Sequence, residues 1–396
     1  MKTDRDDFLR APVAAEAARV VKARHDLHRI PEPGLEEVKT SAYIRRELDR
    51  AGIRYKAGIA RTGIVAEIRG AGRGPGVLLR ADIDGLAIPA EATGLAYASR
   101  HPGYMHACGH DAHAAMLISA ARVLQRVRDR FSGRVVCVFQ PAEEGKGGGR
   151  EVVRSGAIDF STLAAAAAIH VWGALPANVF GWNAGPSFAF ADEFWVDIIG
   201  RGGHGSAPSQ TLDPIAAAAQ AVTAANAIIS RRVSIHDMAV ISICALNGGS
   251  TFNVIPDRVA IKGTVRTLKR DLRERLAREL RAVFVHTARA AGLRARFTYD
   301  RSYPLLINDT AVAERGRDIA RSIFGPGRVR EVEPTMGGED FSFFLQKVPG
   351  AMFRLGSSPT RAATPHHNAH FDIDERVLPR GVEFLCRFAC SYLKRG

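Results

Sequence analysis

Eight consecutive residues, His106-Ala107-Cys108-Gly109-His110-Asp111-Ala112-His113, put a thiol, a carboxylate and three imidazoles on one short stretch. A packed apolar core has no use for such a run, because each buried polar group would need its own partner there. The chain must therefore fold so that this stretch lies at a polar site, and it runs directly into a helical apolar pattern, Ala112 to Val127. Cys108 and His110 flank a glycine, so their side chains can converge on one point. Asp111 can orient an imidazole through its second nitrogen, as metal sites require. The competing reading is a polar loop that opens a helix.

The surrounding pattern is α/β. Asp7 to Arg50 reads as two helices broken at Ile30-Pro31-Glu32-Pro33-Gly34, where prolines and a glycine stop a helix. Short apolar runs, Gly63–Ile68, Gly76–Arg80 and Arg134–Phe139, read as strands that alternate with turns and the Ala112 helix. From Phe188 a second pattern begins: a strand Glu193–Ile199, an alanine-rich helix from Asp213, strands Val240–Leu246 and Val259–Val265, a helix from about Asp271 to Ala291, and a strand Arg294–Tyr299. That order, βαββαβ, is ferredoxin-like and self-contained. The last part returns to α/β with a strand Met352–Leu355 and a helix Val377–Leu393. At 396 residues, a larger discontinuous domain (1–187 and 301–396) carrying an inserted one (188–300) is expected. Ligand residues in such folds gather at the carboxyl ends of strands.

Several function classes drop out on composition. No run approaches the about 20 apolar residues of a membrane span, the most apolar being Leu163–Val171. The first residues, Met1 to Asp7, carry acids where a targeting segment is basic, so a cytoplasmic protein is expected. Five cysteines argue against a disulfide framework. Only Cys108 sits among ligand-type residues, and Cys137, Cys244, Cys386 and Cys390 read as packing residues. The net charge of +14 is spread along the chain and interleaved with acids, and Arg266 to Arg281 alternates sign as a solvated helix face does. Nucleic acid is not expected as a partner, since no binding motif accompanies the charge.

Further candidates follow the strands. In Gln140-Pro141-Ala142-Glu143-Glu144-Gly145 two adjacent carboxylates would repel unless a cation offsets them. One can ligate a metal while its neighbour acts as general base on a metal-activated water. Paired glutamates alone are usually just solvated. His170 ends the run Ala164–Ile169 at the expected carboxyl end of a strand, although a lone histidine in an apolar run is more often a core residue. Pro365-His366-His367-Asn368-Ala369-His370 adds another imidazole cluster. Cys108, His110, Glu144, His170 and His367 together are too many ligands for one tetrahedral zinc and suit two adjacent ions.

These residues resemble those of the dinuclear metal-dependent aminoacylase and carboxypeptidase family, in its amidohydrolase branch of hippurate hydrolases and indole-acetyl-amino-acid hydrolases. The resemblance spans nearly the whole chain. It is carried in order by Leu79–Leu86, Cys108–Asp111, Pro141–Gly145, Ile169–Val171, Gly202–His204, Asn253–Asp257, Gly337–Phe341 and the His367 cluster. It implies that Cys108, His110, Glu144, His170 and His367 bind two divalent ions, manganese or zinc, with cobalt or nickel compatible. It further implies Glu143 as general base, Asp84 supporting the metal site from behind, and His204 stabilising an oxyanion in the neighbouring subunit's site. Asn253 and Arg266 match residues that bind substrate. The implied fold is a zinc-peptidase-like α/β catalytic domain with an inserted ferredoxin-like lid that pairs two subunits, hence a homodimer. The implied reaction is hydrolysis of an N-acyl amino acid to a carboxylic acid and a free amino acid. A metallo-dipeptidase or carboxypeptidase using the same site, and a non-catalytic metal-binding protein, are the competing readings. The chain departs from the family pattern at Ala369, where proline is frequent, and at His366, which precedes the expected ligand.

Overall fold

The computed structural model describes residues 7–359 and 365–395, so the acidic start on which the cytoplasmic expectation rests lies almost wholly outside the described residues. Two compact units are present. The larger contains the chain up to Ser187, Ile307–Glu333 and Asp340 onward; the smaller contains Phe188–Leu306 and Pro334–Glu339.

The larger unit is built on an eight-stranded mixed sheet with the order Arg54–Ile59, Gly63–Arg69, Arg134–Gln140, Gly76–Asp82, Leu163–Pro176, Gly350–Ser358, Phe180–Trp182, Val329–Glu331. Gly76–Asp82 runs parallel to both Arg134–Gln140 and Leu163–Pro176, so these three strands point their carboxyl ends the same way. The centre is buried on both faces, and Gly76–Asp82 and Gly350–Ser358 expose no residue. Near-continuous apolar runs are what such doubly covered strands require. The helix His110–Arg126 is buried over most of its length, with Ala112, Ala114, Ala115, Ala120 and Ala121 in the core. Their small side chains let it lie close to the helices Ala17–His28 and Leu378–Tyr392, which pack against it.

The smaller unit has a four-stranded antiparallel sheet in the order Ala239–Asn247, Arg258–Thr267, Phe190–Ile199, Arg294–Tyr303. Alternate residues Phe194, Val196 and Ile198 face a core shared with Ala217, Ala218, Ala221 and Ala225 of the helix Pro214–Arg232 and Leu276, Leu280 and Phe284 of Arg270–Ala290. This is the ferredoxin-like arrangement.

Three local expectations need correction. The strand holding His170 does not end there but continues to Pro176, because Gly350–Ser358 goes on pairing with it. Arg266 belongs to the strand Arg258–Thr267 rather than to a helix face, since the helix starts at Arg270. Cys244 is exposed instead of packed, because it sits at a bulge between Ile243 and Ala245, which turns it out of the register. The other four cysteines are at least partly buried.

Candidate metal centre

The strand Gly76–Asp82 makes its last pair with Leu163–Pro176 at Arg80↔Ala168. Beyond that pair polar side chains gather: Asp82 at the end of the first strand and Asp84 two residues on, Glu143 and Glu144 after Arg134–Gln140, and His170 two residues past Ala168 within Leu163–Pro176. Cys108 and His110 enter from the start of the helix His110–Arg126. The turn between them needs its glycine: Gly109 has φ 87°, and a Cβ there would lie 2.2 Å from Val171 Cγ2.

Hydrogen bonds decide which nitrogen each imidazole offers. His110 Nδ1 lies 3.0 Å from the Asp84 carbonyl and 3.1 Å from its carboxylate, so Nδ1 carries the hydrogen and donates. His110 Nε2 is then a free lone pair, and it is buried with no hydrogen-bond partner. His170 likewise directs Nδ1 to the Val171 carbonyl at 2.6 Å, which leaves Nε2 available 3.5 Å from Cys108 Sγ. His113 is committed elsewhere: Nε2 accepts the Val171 N–H at 2.8 Å and Nδ1 donates to Asp82 at 2.6 Å. His113 is thereby spent on holding two strands together.

His366 and His367 separate in the same way. His366 Nε2 accepts the Gly173 N–H at 3.0 Å. His367, held in the left-handed region (φ 59°) by its N–H bond to the Ala107 carbonyl, brings Nε2 to 3.0 Å from Glu144 Oε1. His370 donates to the Ala92 carbonyl.

The carboxylates are pinned from behind. Asp84 is fully enclosed, with Oδ1 on His110 and Oδ2 accepting the Glu144 N–H at 3.0 Å. Burial raises its pKa, but those bonds outweigh burial and hold it below the usual carboxylate range. Ala142, with φ 54°, is fixed by its N–H bond to Glu37 at 2.8 Å, and Gly34 gives it room, since a Cβ there would meet Ala142 Cα at 2.8 Å. Asp340 accepts from Arg80, Gln140 and the Gly149 N–H, which locks both flanks of the buried Glu143 loop. Asp111 accepts from His28 at 2.7 Å and Arg24 at 3.3 Å. Glu37, Arg24 and His28 carried no signal in the sequence, since each acts across a large chain separation; only the helix-breaking segment Ile30–Gly34 beside them stood out.

The pocket fits a cation. The ligand atoms of Cys108, His110 and His170 lie within 4.8 Å of one another, and so do those of Cys108, Glu144 and His367, and of His110, Glu143 and Glu144. Cys108 belongs to two of these sets. His110 Nε2 is buried without a hydrogen bond, a cost of about 1–3 kcal/mol that a metal would remove. Burial opposes a charge on His110, yet Asp82 and Asp84 push its pKa well above the ordinary value. With no cation in place, the same carboxylates hold a proton on the imidazole instead, which an ion would displace. Burial raises the Cys108 thiol, only partly offset by His110 and His367. A fourth set, Asp82, His110 and His113, is already saturated by Arg80 and Val171.

The remaining candidates lie in the smaller unit. His204, on the short strand Gly203–His204, is exposed, and its Nδ1 accepts the Ser206 N–H. Asn253 is exposed on the ribbon paired with it, its carbonyl accepting the Gly205 N–H at 2.8 Å. Arg266 is half-buried and bonds the carbonyls of Asp192 and Val265 and the Thr264 hydroxyl; burial lowers its pKa.

A sequence model of the peptidase family M20/M25/M40 matches residues 78–391. The chain belongs to that family. It is a hydrolytic enzyme acting on amide bonds. The N-acetyl-L-cysteine deacetylase of Bacillus subtilis (strain 168) is 37% identical to it over 367 residues, which cover 93% of this chain and 86% of the relative. The IAA-amino acid hydrolase ILR1-like 4 of Arabidopsis thaliana is 35% identical over 381 residues, 94% of this chain and 86% of the relative. Among solved structures, the Bacillus subtilis YXEP protein, described as a dinuclear metal binding peptidase from the M20 family, superposes with a TM-score of 0.81 at 33% identity, covering 96% of this chain and 99% of that one. No helix among the described residues is long and apolar enough to cross a membrane.

Proposed function

We propose that this M20-family chain hydrolyses N-acyl amino acids, hippurate-like or with related acyl groups, to a carboxylic acid and a free amino acid at a centre of two divalent ions. The observation that carries the reading is Cys108, common to the sets Cys108–His110–His170 and Cys108–Glu144–His367, beside the buried Glu143. The names of the deacetylase and the IAA-amino acid hydrolase support the substrate class. Thiolate, imidazole and carboxylate donors suit manganese or zinc, with cobalt or nickel compatible.

Bound ions would polarise the scissile carbonyl and make water acidic enough to attack near neutral pH. Glu143 takes the proton of the attacking water and delivers it to the leaving nitrogen, so one carboxylate serves both halves of the reaction. Asp84 keeps the His110 tautomer that presents Nε2. His204, with Nδ1 occupied by Ser206, carries its hydrogen on Nε2 and offers it to the oxyanion of the tetrahedral intermediate in a second copy of the chain, which makes the working form a homodimer. Arg266 and Asn253 hold the substrate carboxylate, a task suited to a guanidinium.

The test is amino-acid release from N-acetyl, N-benzoyl and indole-acetyl amino acids and dipeptides, with chelated protein and protein reloaded with manganese or zinc. Metal-restored turnover of the acyl amino acids is expected. Preferential cleavage of dipeptides would move the reading to a metallo-dipeptidase or carboxypeptidase. Two metals bound per chain with no release from any substrate would overturn it.

A further inference from the structure

Val171 and Gly173 are two residues apart on the strand Leu163–Pro176, beyond the last pair that strand makes with Gly76–Asp82. Each sends its N–H to an imidazole Nε2: Val171 to His113 at 2.8 Å and Gly173 to His366 at 3.0 Å. A backbone N–H can only donate, so both Nε2 atoms are acceptors and the hydrogen of each neutral ring sits on Nδ1. In His113 that hydrogen goes to Asp82. His366 Nδ1 lies 3.7 Å from Cys108 Sγ, and the ring also meets the backbone of Cys108. The His366 ring is further confined by Trp172, Phe371 and His170, with centroids 5.2, 4.9 and 5.3 Å away.

We propose that His366 is a positioning residue for the Cys108 sulfur: a backbone-locked Nδ1–H donates to the thiolate, fixing its direction and drawing electron density from it. The inference rests on the reading of Cys108 as a metal ligand. Groups that hydrogen-bond a ligating atom set both its orientation and its donor strength, and a bond to an ionised acceptor is stronger than a neutral one. His366 cannot replace His367 through Nε2, because Gly173 occupies that nitrogen. The two adjacent histidines thus divide the work, one beside Glu144 and one behind the sulfur. The sequence pattern that sets this chain apart from its family, a histidine directly before the expected ligand, acquires a use.

Two substitutions separate the donor from the acceptor of the ring. His366→Asn keeps an N–H near the position of Nδ1 and loses the acceptor for Gly173. His366→Gln keeps an oxygen near the position of Nε2 and loses the donor to Cys108. The probe is cobalt(II) alone, bound to the metal-depleted full chain, read by the near-ultraviolet sulfur-to-cobalt charge-transfer band and by competition with a chelator. Without the hydrogen bond the sulfur gives up its electron more easily, so the Gln variant should shift the band to longer wavelength; with the sulfur no longer held in direction, cobalt binding should weaken about 10–100-fold. The Asn variant should keep the band close to its wild-type position. If the Gln variant leaves band and affinity unchanged, or if both variants shift the band equally, the proposal is overturned and the ring serves packing only. Wild-type protein whose cobalt spectrum lacks a band that Cys108→Ser removes would overturn Cys108 ligation itself, and this inference with it.

Discussion

Apart from the exposed His367 and the half-buried Arg266, the two units hold their candidate residues in opposite ways. In the larger unit His110, His170 and Asp84 are buried, and each is fixed by an atom from another part of the chain or by its own strand's carbonyl. In the smaller unit His204 and Asn253 are exposed and bonded only within one short ribbon. The first set is placed by folding itself, since the hydrogen bonds that build the core also choose each tautomer. The second set owes its placement to little else in the fold, as expected of residues that complete a site once substrate or a second copy is present. Substitutions in the first set should therefore disturb metal or stability, whereas those in the second should disturb turnover alone.

Glu143 stands apart from the first set as the proton carrier, and Glu143→Gln removes that function while keeping the shape and the candidate metal donors. Turnover should fall by about 10²–10⁴-fold with two metals per chain still bound, measured by amino-acid release alongside metal analysis. A variant that stays active would refute Glu143 as general base. In the second set His204→Ala should lower kcat by about 10²–10³-fold, the loss of one oxyanion donor, while metal content and thermal midpoint stay at wild-type values. A fall in thermal midpoint as large as in a core variant would break the contrast between the units.

Asp84→Asn probes the coupling of fold and site in the first set. An amide has one acceptor oxygen where the carboxylate serves both His110 and the Glu144 N–H. Metal affinity should drop about 10–100-fold in chelator competition. Unchanged affinity would mean that the His110 tautomer is set by the Asp84 carbonyl alone.

The sequence made the candidate donors legible where they are local. Cys108-Gly109-His110 converge because one left-handed glycine links them, and Glu143-Glu144 follow a strand whose apolar run announces its end. The βαββαβ order of the smaller unit was equally visible, because each helix and strand carries its own period. What stayed hidden depends on register between distant segments. Glu37 reaches the Ala142 N–H across 105 residues, and His113 looks like a ligand until the Val171 N–H is seen to occupy it. The extension of the strand past His170 is likewise decided by its partner Gly350–Ser358, far along the chain. Cys244 was misread for a related reason, since a bulge reverses which face a residue of an apolar strand presents.

The smallest expected effect lies deepest in the larger unit, behind Asp111. His28 is fully buried, 2.7 Å from Asp111 and 3.3 Å from Glu91, with Arg24 beside it. Burial opposes its charge, but Asp111 and Glu91 outweigh burial and raise its pKa to about 9. An unfolded histidine has a pKa of about 6.5, so the folded state binds a proton more tightly than the unfolded chain does. The resulting stability is fully present below about pH 6.5 and is lost as pH rises through about 9. His28→Gln removes the titrating group and keeps a polar side chain. Denaturant unfolding of both proteins between pH 6 and pH 10 should show wild type the more stable at low pH, with the gap closing as pH rises. A gap that stays constant across that range would show that His28 is not held protonated by Asp111, and that the support behind the helix His110–Arg126 comes from Arg24 alone.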